Sequence, residues 1–146
     1  MTPRLHTWLE RTLGRPSSWG ALDCNTLVLS WLQECTGDGT VDRVAGQYDD
    51  ELGATAFAAS YGRDLEQVLV DAGARHVIEA ELAAGDVVLV KDRARPWWRG
   101  HIIVDGDTFV AAWPGRGVRL AHRAYLRGAV RRFLRLPDAG GDLCPR

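Results

Sequence analysis

The 146-residue chain has no run of about eighteen apolar residues, and its opening stretch MTPRLHTWLERTLG carries charges where a secretory signal needs an apolar centre. No membrane insertion is expected, and the chain reads as a soluble protein made without a leader. Cysteine is scarce. Cys24, Cys35 and Cys144 cannot all pair with one another, and neither a CxxC nor a clustered Cys/His set of the kind that holds structural zinc is present. A disulfide scaffold is therefore not expected, a reducing compartment is the simpler setting, and no cofactor or metal is called for. GDGTVD (37–42) has the oxygen donors of a calcium loop but neither its twelve-residue spacing nor its terminal glutamate. Repeats and low-complexity tracts are absent too, which leaves one domain (1–136) and a polar tail (137–146).

Net charge is only −1, but it is unevenly spread. Residues 1–90 hold 6 basic and 14 acidic side chains, and residues 91–146 hold 12 and 5, so −8 stands against +7. The basic residues never form an unbroken block. Scattered arginines on solvated strand and helix faces are the favoured reading, docking onto a partner or an acidic ligand the other, and no nucleic-acid partner is expected.

The first half carries helical spacing. Thr2 and Pro3 precede Leu5, Trp8, Leu9 and Leu13 in a segment ending at Gly14, which predicts a short amphipathic helix. Asp23 is a natural N-cap for a second, with Cys24, Leu27, Val28, Trp31, Leu32 and Cys35 along one stripe up to Gly37. A polar, Asp-rich connection (39–53) and two further helices, Thr55 to Tyr61 and Leu65 to Ala72, complete that half. Then the period changes: HVIEA, DVVLVK, GHIIVD, TFVAAW, GVRL and AVRRFLRL predict strands. Asp105-Gly106-Asp107 predicts a tight hairpin, and AHRAYLRG one or two helical turns. Helices first and strands afterwards, without βαβ alternation, predict an α+β fold in which N-terminal helices pack on a C-terminal antiparallel sheet.

Two residues stand out chemically. Cys24 follows the expected cap, where helix N–H groups favour a thiolate and can also hold an oxyanion. Of the four histidines only His101 sits inside a predicted strand, from which an imidazole can project toward the start of a helix packed on the sheet. The plainer readings are a small apolar residue at the start of a buried helix and a strand histidine satisfied by a carbonyl. Trp97 and Trp98, next to His101, are candidates for an aromatic wall or for an exposed, partner-facing pair. Trp8, Trp31 and Trp113 read as packing residues.

The strings WGALDCNTLV, LAAGDVVLV and GHIIVDGDTFVAA, in this order over most of Trp19 to Trp113, resemble the motifs of NlpC-like, papain-like cysteine peptidases, especially the small variants of phage tail gene clusters. The resemblance implies a papain-like fold, Cys24 as nucleophile and His101 as general base. It places Asp23, Ser17, Trp19 and Trp98 around the oxyanion and substrate cleft. It also implies hydrolysis of an amide in peptidoglycan stem peptides, other tail hub or tip proteins as partners, and synthesis in a bacterial cytoplasm followed by incorporation into a phage or phage-like tail. The sequence departs from the pattern in having Ala111 and Ala112 where a third polar residue orients the histidine, Ser17 where a tyrosine is common, and Asn25-Thr26 after the cysteine. A structural tail component with a vestigial Cys/His cleft is the competing expectation.

Overall fold

The computed structural model describes residues 1–93 and 95–138. Residues 139–146, with Cys144 and most of the expected tail, lie outside the described residues. Helix α1 (Pro3–Thr12) starts with the Thr2 hydroxyl accepting the Leu5 N–H at 3.2 Å and Pro3 in the first turn, where its missing N–H costs nothing. Helix α2 (Cys24–Thr36) is capped by Asp23 and ends on Gly37 at φ 78°, a left-handed residue suited to glycine. Helices α3 (Thr40–Val44), α4 (Glu51–Ser60) and α5 (Leu65–Asp71) follow.

The strands are β1 (Arg75–His76), β2 (Val87–Lys91), β3 (Arg99–Ile103), β4 (Thr108–Trp113), β5 (Gly117–His122) and β6 (Val130–Arg135). They form one antiparallel sheet in the order β1-β6-β2-β3-β4-β5. The class is α+β, as the order of periodicities predicts, and no helix among the described residues is long and apolar enough to cross a membrane.

Three local expectations are corrected. The connection from Gly39 to Gly53 is not irregular throughout: it contains α3, anchored by buried Thr40 and Val44, and the start of α4, where Asp50 accepts the Gly53 N–H at 2.6 Å. HVIEA is strand only at its start. β1 pairs with β6 at Arg75 and His76, the Val77 N–H donates to the Phe133 carbonyl at 2.9 Å, and with Ile78 facing solvent the chain turns into a single 3₁₀ turn at Glu79–Glu81. AHRAYLRG is not helical at its start, because the β4–β5 ladder continues through Ala121 and His122. Only Arg123–Tyr125 form a 3₁₀ turn, capped by the His122 ring accepting the Ala124 N–H at 3.0 Å.

Side chains alternate across the sheet and build two apolar layers. Val87, Leu89, Ile102, Val110 and Leu134 meet α1 and α2 through Leu5, Trp8, Leu27, Val28, Trp31 and Leu32. Trp8 and Trp31 pack at 5.1 Å between ring centroids, and the Trp31 indole donates to the Gly85 carbonyl at 2.9 Å. On the opposite face Val88, Val90, Ile103, Phe109, Ala111 and Leu126 form a smaller cluster. Asp86, 1% exposed, does more than tighten a turn: Arg135 grips both of its oxygens at 2.9 and 2.8 Å, and it accepts the Ala83 N–H.

The charge asymmetry is partly absorbed inside the fold. Arg95–Glu51, Arg131–Glu79, Arg132–Glu66 and Arg135–Asp86 each join a second-half arginine to a first-half acid. The basic strands and the acidic helical half are thus partners of one another.

Candidate active site

Position 24 is set by its cap. The Asp23 carboxylate accepts the N–H groups of Asn25 and Thr26 at 2.9 Å each, and the Thr26 hydroxyl in turn accepts the Asp23 N–H at 2.8 Å, a reciprocal capping arrangement. The second Asp23 oxygen accepts the Gly20 N–H at 2.9 Å and the Tyr48 hydroxyl at 2.6 Å. Asp23, expected at the substrate cleft, lines it but has its oxygens committed to holding the turn before Cys24. Gly20 is required on two counts: φ is 80°, and a Cβ there would lie 1.9 Å from the Tyr48 carbonyl oxygen.

A second glycine brings the helix to the sheet. At Gly100 a Cβ would lie 2.7 Å from the Cys24 carbonyl oxygen and 2.3 Å from a Val28 methyl, so only glycine lets the first turn of α2 rest on β3. The residue after it is His101. The β3–β4 ladder consists of Ile102–Val110 and Ile103–Phe109, whereas β4 and β5 pair over six positions. Beyond Ile102 the two strands separate, and the start of α2 sits at that seam.

A cleft of about 560 Å³ opens there, with Cys24, His101, Ser17, Trp19, Ala111 and Ala112 among its walls. Cys24 and His101 are each partly exposed to it, whereas Cys35, on the same helical stripe, is fully buried. Cys24 is therefore not a core residue, and the two expected catalytic side chains share one cleft. Ser17 is present but its hydroxyl donates to the Trp113 carbonyl at 2.7 Å. Trp19 packs edge-on against Trp97 at 6.2 Å between centroids.

Trp98 lies apart from this cleft: it is 4% exposed and lines a separate pocket that Trp19, Asp23 and Cys24 also line. Trp97 takes the wall position instead, its indole donating to Thr55 at 3.2 Å, and both tryptophans are buried rather than an exposed pair. Both rings lie in the irregular approach to β3, whose path spacing alone does not reveal.

The His101 ring is oriented from the strand opposite to the one expected. Its Nδ1 lies 3.1 Å from the carbonyl oxygen of Val88, its cross-strand partner on β2. A carbonyl can only accept, so Nδ1 carries the proton and Nε2 keeps its lone pair, the tautomer a general base needs. Phe109 supports the ring edge-to-face at 5.1 Å. On β4, Ala111 shares the layer of Phe109 and Val88 and offers only a methyl group, while Ala112 faces the helix-side layer. No sequence signal could have disclosed the Val88 role, since a main-chain oxygen belongs to every residue.

Electrostatics keep both groups neutral near pH 7. Burial pushes the Cys24 thiol up to about 12, the Asp23 charge acts in the same direction, and the N–H of Gly100, the Arg99 charge and the Cys24 N–H oppose it. Burial pulls His101 down to about 4, opposed by its bond to Val88 and reinforced by Arg99. Arg99 is itself held by Asp92 at 2.9 Å and by the Arg127 carbonyl at 2.9 Å. The two groups that line the cleft rest as a neutral thiol and a neutral imidazole, not as an ion pair. Such a pair can perform nucleophilic attack with concerted proton removal.

A helix N-terminus seated in a split antiparallel sheet, with cysteine on the helix and histidine on the strand, defines the class as an α+β protein with a Cys/His cleft. Residues 1–131 match the family described as Domain of unknown function (DUF6950), and the chain belongs to that family. Comparison with curated proteins finds no match.

Proposed function

We propose that the protein is a papain-like Cys/His amide hydrolase acting on peptidoglycan stem peptides, within a phage or phage-like tail tip. The observation that carries the reading is the Val88 carbonyl on His101 Nδ1, which leaves Nε2 free as base in the cleft that Cys24 lines. The chemistry then follows. Sγ of Cys24 attacks the amide carbonyl carbon as His101 Nε2 takes the thiol proton, so no free thiolate accumulates. The N–H groups at the start of α2 stabilise the oxyanion. The imidazolium returns its proton to the leaving amine, and water, deprotonated by the same nitrogen, hydrolyses the thioester. The substrate and the tail setting rest on the motif resemblance, and the motif order agrees with the cysteine-before-histidine arrangement of this cleft.

A second reading, a tail component with a vestigial cleft, is favoured by alanines at 111 and 112, which give the cleft no polar side chain from β4 at those positions, and by the high thiol pKa. Digestion of purified peptidoglycan separates the two. Release of new amino groups by the native protein, lost in Cys24→Ala and His101→Ala, supports the hydrolase, and no release above those variants supports the vestigial cleft.

A further inference from the structure

Asp23 is reached by one donor from far along the chain. The Tyr48 hydroxyl donates to Oδ2 at 2.6 Å, the shortest of the bonds the carboxylate accepts. The other donors, on Gly20, Asn25 and Thr26, all lie within three residues of Asp23. A bond of that length between a hydroxyl and a carboxylate oxygen belongs to the charge-assisted class, stronger than one between neutral groups.

The rest of Tyr48 is built to deliver that hydroxyl. Its ring packs on Phe57 of α4 at 5.5 Å between centroids, and Phe57 in turn on Tyr61 at 5.1 Å. Its main chain is seated on the turn before Cys24: the Tyr48 carbonyl oxygen occupies the space a Cβ at Gly20 would need, and the Gly46 N–H donates to the Gly20 carbonyl at 3.0 Å. Burial, followed by the Asp23 charge and the bond to it, raises the Tyr48 phenol above its ordinary range, so it stays protonated and donates. A phenylalanine would pack on Phe57 equally well, so the ring contact alone does not account for a tyrosine here.

The consequence falls on Cys24. Asp23 acts on the thiol in two opposed ways: its charge raises it, while its cap holds the first turn of α2, where the Cys24 N–H lowers it. The two functions use different oxygens. Oδ1 accepts the Asn25 and Thr26 N–H groups of the cap, and Oδ2 accepts Gly20 and Tyr48. A donor on Oδ2 therefore draws on the charge without competing with the cap.

We propose that Tyr48 is a positioning residue for the nucleophile: through Asp23 Oδ2 it fixes the turn that carries Cys24 and offsets the carboxylate charge facing the thiol. The effect on the thiol needs no turnover; its bearing on catalysis rests on the hydrolase reading.

The test uses the full chain as native protein, Tyr48→Phe, Asp23→Asn and the double variant. Iodoacetamide labelling of Cys24 at pH 8 is followed by peptide mapping, with urea midpoints as the control that each variant is folded. Tyr48→Phe should slow labelling by about threefold or more when Asp23 is present. In Asp23→Asn, where no charge remains to offset, it should change the rate by less than about 1.5-fold. Labelling of Tyr48→Phe at the native rate or faster, or an equal slowing in both backgrounds, overturns the proposal, since a merely structural tyrosine would not depend on the charge at position 23. Peptidoglycan release by the native protein with labelling indifferent to Tyr48→Phe would retire the role of Tyr48 and leave the hydrolase standing; charge-dependent slowing without release would do the reverse.

Discussion

Replacing Gly100 with alanine tests how the site is assembled. The added methyl would stand 2.3 Å from the Val28 Cγ2 and 2.7 Å from the Cys24 carbonyl oxygen, where ordinary contact begins near 3.4 Å. The start of α2 must therefore back away from β3 by about 1 Å, because a main-chain oxygen cannot rotate aside as a side chain can. Overpacking of this kind costs about 1–3 kcal/mol of stability. A displacement of about 1 Å between a nucleophile and its base costs on the order of a hundredfold in rate. Urea midpoints and peptidoglycan release measure the two effects separately. Gly100→Ala with Val28→Ala should recover much of the stability, since the methyl clash is gone, but little of the rate, since the contact with the Cys24 carbonyl persists. Native stability and native rate in Gly100→Ala would refute the claim that this glycine sets the distance between helix and strand.

Three further outcomes follow from the charges. Asp23→Asn removes the like charge that raises the Cys24 thiol, so iodoacetamide labelling of Cys24 at pH 8 should quicken by about threefold to tenfold; slower labelling would reverse the assigned sign. His101 is held neutral, with its folded pKa near 4 below an ordinary value of 6.5, so the stability it contributes is present above pH 6.5 and is lost as pH falls through 4. Urea midpoints at pH 7 and 4.5 should show a loss of about 2–3 kcal/mol that His101→Gln removes. Asp86→Ala strands Arg135 and the Ala83 N–H and should cost about 3–5 kcal/mol by chemical denaturation; a loss below 1 kcal/mol would show that the buried pair contributes little.

The helices around the site were legible because their signals are local. Thr2-Pro3, Asp23 and Asp64 are caps that act within three residues, and Gly37 stops α2 by its own φ. The Asp-Gly-Asp hairpin was legible for the same reason. α3 and the run of β5 through Ala121 and His122 were not: one is held by buried Thr40 and Val44, the other by pairing with Phe109 and Thr108, and both depend on distant partners. The site divides in the same way. Cys24 and His101 announce themselves by residue type and position, while the Val88 carbonyl and the opening of β3 from β4 arise from sheet register. The apolar residues at 111 and 112 made the histidine look unsupported, and the support comes from β2 instead.

The central claim is that neutral His101 draws the proton from neutral Cys24 during attack, and the pH dependence of Cys24 acylation by p-nitrophenyl acetate tests it most directly. With the imidazole near 4 and the thiol near 12, both groups hold their working protonation states throughout pH 5.5–8, an interval set about one unit or more inside those values. The acylation rate, located on Cys24 by peptide mapping, should be flat across that range and fall at least tenfold in His101→Ala. A rate that climbs tenfold with each pH unit and ignores His101→Ala would mean that only rare free thiolate reacts, and would contradict the account.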